Sequence, residues 1–107
     1  MGLDSRFEPQ NYGIGNWNIW YYSTGDLNQE YQQQLEGNLK HPWIFVSCPT
    51  MKSDSPGMAP AGHHVLEIVT VCSYEPFKQL HDRDLKAYKA NKRQVYQDMM
   101  TSVRDLI

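Results

Sequence analysis

Two apolar runs dominate the middle of the chain, WIFVSC at 43–48 and HHVLEIVTVC at 63–72. Between them lies PTMKSDSPGMAPAG, a connector rich in Pro, Gly, Ser and Asp. Val, Ile, Phe and Trp suit a pleated, half-buried surface, and the connector is full of strand breakers. The pattern predicts two neighbouring antiparallel strands joined by a long ordered loop. Upstream, NWNIWYYS at 16–23 reads as a further strand. Trp17, Ile19 and Tyr21 would point to one face, and Asn18, Trp20 and Tyr22 to the other. Residues 1–15 are polar and punctuated by glycine, and predict an irregular lead-in.

Helical spacing occupies the remainder. Thr24-Gly25-Asp26 predicts a turn, with Asp26 capping a helix and Gln29 completing a capping-box-like pair. Leu27, Tyr31 and Leu35 follow at i, i+4, i+8 as the expected packing face, and Gly37-Asn38 is the expected stop. Glu75-Pro76 should end the second apolar strand, with one helical turn over 76–81. Asp82 or Asp84 can then cap a long helix. Its stripe is Leu85, Tyr88, Lys92, Val95, Tyr96, Met99, Met100, Val103 and Leu106, with the Lys92 stem lying along it. At roughly twenty-five residues this helix would run about 35–40 Å. A typical strand spans about 20 Å, so one end should overhang the sheet. The expected fold class is α+β: an antiparallel sheet of three or more strands packed with one short and one long C-terminal helix.

Composition narrows the class. At 107 residues the chain makes at most one ordinary domain, and no run approaches the ~20 apolar residues of a membrane span. MGLDSRFEPQNYG carries no apolar core and does not read as a signal peptide. A net charge of -2 gives no footprint for nucleic acid. The basic cluster Lys86, Lys89, Lys92 and Arg93 reads as a solvated helix face. Cys48 and Cys72 each fall near the end of an apolar run; a disulfide across the pair is geometrically conceivable, and two small buried side chains in a reducing cytosol are the simpler reading.

Candidate chemistry is sparse. GIGNWN only echoes a dinucleotide fingerprint: it lacks the third glycine, a preceding apolar strand and a following helix, so no flavin-binding motif is present. His63 and His64, adjacent on a strand, should point to opposite faces and cannot share a metal without a bulge. Ser47, His64 and Asp54 lack a nucleophile elbow. Glu67 stands alone in an apolar strand. No residue is identified as catalytic and none as a metal ligand. The aromatic positions differ in kind. Trp17, Trp20, Tyr21, Tyr22, Trp43 and Phe45 would make a broad sheet face, and one short and one long helix need not cover both faces. An uncovered apolar face marks a binding surface.

The wording of the central stretch carries a resemblance. Ser47, Cys48, Pro49, Thr50, Asp54, Ser55, Ala59, Pro60, Gly62, His63 and His64, set between two apolar strands, resemble a motif of FAD-dependent oxidoreductases that include phytoene desaturases, carotenoid isomerases and retinol saturase. The segment WYYSTGDLNQEY and the pair Tyr88 and Lys92 extend the likeness over roughly residues 16–107, although its specific part is 43–74. The resemblance implies a substrate-binding portion excised from a larger flavoenzyme, with FAD held by a separate domain and no cofactor in this chain. The implied ligand is a hydrophobic polyene or isoprenoid that the parent desaturates, saturates or isomerises. The substrate-facing candidates are Trp17, Trp20, Tyr22, Trp43 and Phe45, joined by His64 from the shared motif. The location is cytoplasmic, with peripheral membrane attachment left open for the full-length protein. The competing expectation is a stand-alone α+β module that binds an apolar ligand or forms a homodimer through its sheet.

Overall fold

A computed structural model describes residues 1–107. The fold is mixed α+β, as the patterning predicts, with a two-stranded and a three-stranded antiparallel sheet and three helices. Strands β1 (Gly2–Leu3) and β2 (Ile19–Tyr21) precede helix α1 (Leu27–Leu35); strands β3 (Ile44–Ser47), β4 (His64–Val65) and β5 (Glu67–Val69) follow it, and helices α2 (Tyr74–Arg83) and α3 (Leu85–Leu106) come last. The chain forms two compact units. One comprises Met1–Tyr21, Ile44–Val69 and Ile107; the other comprises Tyr22–Trp43 and Thr70–Leu106. No helix is long and apolar enough to cross a membrane.

The first unit is built on β3, which pairs with β2 on one edge and β5 on the other, antiparallel in both cases. The two apolar runs are therefore direct neighbours, as expected. Register puts Ile19, Tyr21, Ile44, Val46 and Ile68 on one face, where Ile44 and Val46 are buried. Trp20, Phe45 and Val69 share the other. Ile14, Cys48 and Leu66 complete the buried apolar set of this unit.

The second apolar run is not one strand. It breaks at Leu66, whose N–H donates to the Met1 carbonyl at 2.9 Å and whose carbonyl accepts from the Met1 amine at 2.8 Å. With its backbone bonded to Met1 and its side chain buried, Leu66 separates β4, paired with β1, from β5, paired with β3. The connector is irregular apart from a 3₁₀ turn at Pro49–Met51. It closes on a turn in which the His63 N–H donates to the Pro60 carbonyl at 3.0 Å. Gly62, third in that turn, has φ +74°, as a type II turn requires.

The second unit holds the helices. Asp26 caps α1 as predicted, its carboxylate accepting from the N–H groups of Asn28 and Gln29 at 3.0 and 3.1 Å. The reciprocal contact comes from Glu30 rather than Gln29: Oε1 of Glu30 accepts from the N–H and the hydroxyl of Thr24, both at 2.8 Å. That anchor sets the helix rotation. Glu30 and Gln34 turn inward, 3% and 5% exposed, while Leu27, Tyr31 and Leu35 face out at 59%, 58% and 47%. The expected packing face is thus the outer face. The stop at Gly37-Asn38 is as predicted. Asn38 N–H reaches the Gln33 carbonyl at 2.8 Å and Gly37 N–H the Gln34 carbonyl at 3.1 Å, a Schellman closure with Gly37 at φ +75°.

The single turn expected over 76–81 is the ten-residue helix α2. Pro76 occupies its third position, inside the first turn, where a missing N–H costs no intrahelical bond. Glu75 in the first turn and His81 and Arg83 in the last complement the helix dipole. Thr70–Cys72 leaves the ladder, and the Thr70 hydroxyl donates to the Trp43 carbonyl at 2.7 Å. Asp84, one of the two capping candidates, accepts from the Ala87 N–H at 3.0 Å and starts α3. α3 packs with α2 and has 22 residues, about 33 Å. Of its stripe only Val103 is fully buried; Ser102 beside it is also buried, and its hydroxyl donates to the Pro42 carbonyl at 3.2 Å. Leu85 and Tyr96 are exposed, so the sustained apolar face is covered over part of its length.

These placements separate two substitutions that hydrophobicity alone would rank together. Ile44→Ala should lower the free energy of unfolding by about 2–5 kcal/mol, as buried large-to-small changes do. Leu27→Gln should stay within about 0.5 kcal/mol, as exposed positions do. Urea unfolding of both variants checks this, and a comparable loss at Leu27 would contradict the outward orientation of α1.

Candidate functional site

The open face of the three-stranded sheet is the site the first unit offers. Alternation along β3 sends Phe45 and Ser47 to one side, and pairing sets Trp20 opposite Phe45 and Val69 beyond it. The Trp20 and Phe45 rings meet edge to face with centroids 5.0 Å apart. Such pairs contribute about 0.5–1.5 kcal/mol beyond their burial. Even so, Trp20 is 55% exposed and Val69 44%, so the patch they form with Phe45 is accessible.

The patch has a polar end. Lys52 follows the Pro49–Met51 turn, its N–H donating to the Pro49 carbonyl at 3.0 Å. The turn brings the ammonium back to the sheet. Nζ donates to the Ser47 hydroxyl at 2.8 Å and also to Oδ1 of Asn18. Glu67 stands opposite Ser47 on β5. The ion pairs of the chain are Asp4–Arg6, Lys78–Asp82 and His81–Asp82, so Lys52 takes part in none.

His64 belongs to a different constellation. Its Nδ1 lies 3.0 Å from the Thr50 hydroxyl, which accepts from the Val65 N–H at 3.3 Å and lies 3.3 Å from Sγ of buried Cys48. Thr50 thereby ties the end of β3 to β4. A hydroxyl has one proton to donate, so a proton given to Nδ1 leaves the Cys48 thiol as donor to Thr50. His64 and His63 both line a shallow hollow of about 320 Å³ with Leu3, Asp4, Met58 and Pro60. Adjacent strand positions were expected to diverge. His63 instead sits in the turn before β4, its Nδ1 3.1 Å from the Ala61 carbonyl. The Arg6 guanidinium holds the carboxyl of Asp4 below the usual carboxylate range.

The remaining candidates fall apart. Trp17 lies outside the paired part of β2, and its ring folds back over Gly15. In the second unit, Tyr22 and Trp43 form a tilted pair with centroids 6.1 Å apart. That unit also has an open hollow of about 570 Å³ bordered by Cys72, Phe77, Lys78, His81 and Tyr88. His81 meets the Tyr88 ring edge to face at 5.0 Å, and the Lys92 ammonium stands 5.5 Å above that ring, a cation–π contact. Lys86, Lys89 and Arg93 are exposed along α3. No group of three or more His, Cys, Asp or Glu side chains is placed to hold a metal ion. Cys48 and Cys72 are both free.

Sequence reasoning missed Lys52 and Thr50 as partners of the sheet. Alternation does place Asn18 beside Trp20, but nothing in the connector marks which of its residues folds back. Compared with known proteins, the chain matches no family model, no curated sequence and no solved structure.

The thiols give a direct check. Exposed Cys72 should react with a disulfide reagent in the native protein, and buried Cys48 only on unfolding. Two fast thiols, or none, would contradict the structure.

Proposed function

We propose that this chain is the substrate-binding part of a flavin-dependent oxidoreductase acting on a polyene or isoprenoid, with the flavin supplied by another domain of the parent. The observation that carries the reading is the accessible Trp20–Phe45 pair beside Val69 on the open face of a sheet whose opposite face is buried. A conjugated chain is long, flat and apolar. An edge-to-face pair with an aliphatic neighbour offers it a largely apolar contact surface. The motif likeness across Ser47–His64 supports the same class. Within the proposal, the residues of this chain bind, orient and exclude water, and the flavin supplies the redox chemistry. The chain alone is inactive in this reading. Tyr22 and Trp43 form a second aromatic pair in the other unit, while the Trp17 ring lies over Gly15 and the His64 ring beside Thr50.

A second reading, a stand-alone module that pairs with its own copy, draws on the outward stripe Leu27, Tyr31 and Leu35. It needs no polyene, and light scattering separates it from the first: a strict monomer at high concentration excludes it.

For the first reading, titration with retinol as a probe should quench tryptophan emission saturably. Trp20→Leu should weaken binding about three- to tenfold, followed by the emission of retinol itself, in line with the loss of one aromatic contact. Failure of retinol to bind would overturn the proposal.

A further inference from the structure

We propose that the ligand lying on the Trp20–Phe45 face ends in a carboxylate, and that Lys52 receives this head. The inference rests on the binding role assigned to that face and adds the chemistry of the ligand's end.

Three observations support it. First, Lys52 belongs to the same surface as the aromatic pair. Phe45 and Ser47 are two residues apart on β3, hence about 7 Å. The Lys52 ammonium is fixed on the Ser47 hydroxyl at 2.8 Å and on Asn18, two residues from Trp20 on the adjoining segment. An apolar chain lying over the rings therefore runs directly to the ammonium. Second, the charge is uncompensated. An ammonium has three N–H donors. Two go to neutral oxygens, and no ion pair of the chain includes Lys52. One donor and the full charge are left for an anionic acceptor. Third, the ammonium is held in place rather than free to wander. Two hydrogen bonds and the 3₁₀ turn behind it pre-position the charge, which lowers the ordering cost of binding. Glu67, opposite Ser47 on β5, makes the other flank acidic, so the head sits on the β2 side, between Asn18 and Ser47.

A neutral head such as a hydroxyl would gain a hydrogen bond but not the charge. The inference therefore predicts a preference for acid over alcohol on the same polyene. Binding of retinoic acid and retinol to the full chain at low ionic strength tests it. Retinoic acid should bind about three- to fivefold more tightly, the range of an accessible ion pair. The advantage should shrink with added salt. Lys52→Met should remove it, weakening retinoic acid more than retinol, which loses only a neutral hydrogen bond. Lys52→Arg should retain it, which separates loss of charge from loss of folding, and Glu67→Gln should enlarge it. Equal binding of acid and alcohol, or a preference that survives Lys52→Met, would overturn the inference while leaving the polyene reading intact. Conversely, palmitate binding as tightly as retinoic acid, with the same loss in Lys52→Met, would uphold the carboxylate head and remove the polyene. Absence of binding by all three would overturn both.

Discussion

β3 is hydrogen-bonded along both edges, and the first unit depends on that double pairing. A strand flanked on both sides has its register fixed twice, and the period of two then decides which residues share a face. Ile44 and Val46 are buried; Phe45 and Ser47 take the opposite side with Trp20 and Val69. A slip of one residue on the β2 edge would turn Trp20 to the other face and break its contact with Phe45, and with it the Lys52–Asn18 bond. The aromatic patch is thus a consequence of backbone pairing and needs no loop to assemble it.

Hydrogen bonds made by side chains define the ends of the elements. Thr50 collects Val65, His64 and Cys48 around one hydroxyl. Glu30 and Asp26 fix the start of α1 between them. Thr70 and Ser102 each take a backbone carbonyl, those of Trp43 and Pro42. Short elements gain little from their own ladders, and a two-residue strand such as β4 persists because such contacts hold its ends.

The degree to which this arrangement can be read from sequence follows from the range of each determinant. β3 and its neighbours were legible because alternation and β-branched content are local. So were the Asp26 cap, the Gly37 closure and the start of α3 at Asp84, which need only residues a turn apart. The rotation of α1 was not, because the Glu30–Thr24 contact overrides the spacing of Leu27, Tyr31 and Leu35. The split at Leu66 was hidden because its partner is Met1, at the other end of the chain. The full length of α2 was obscured by Pro76, read as a breaker where it is a tolerated first-turn residue. Of the site, Trp20 and Phe45 and the side taken by Asn18 were legible. Lys52 was not, because a connector without periodicity gives no sign of where it folds back.

The central claim is that the sheet of the first unit buries Ile44 and Val46 on one face and leaves Trp20 and Val69 accessible on the other. Paramagnetic relaxation by a soluble nitroxide, read on assigned side-chain NMR signals, tests this most directly. The account predicts strong broadening at Trp20 and Val69 and almost none at Ile44 and Val46. Equal broadening across the two sets, or its reversal, would contradict it.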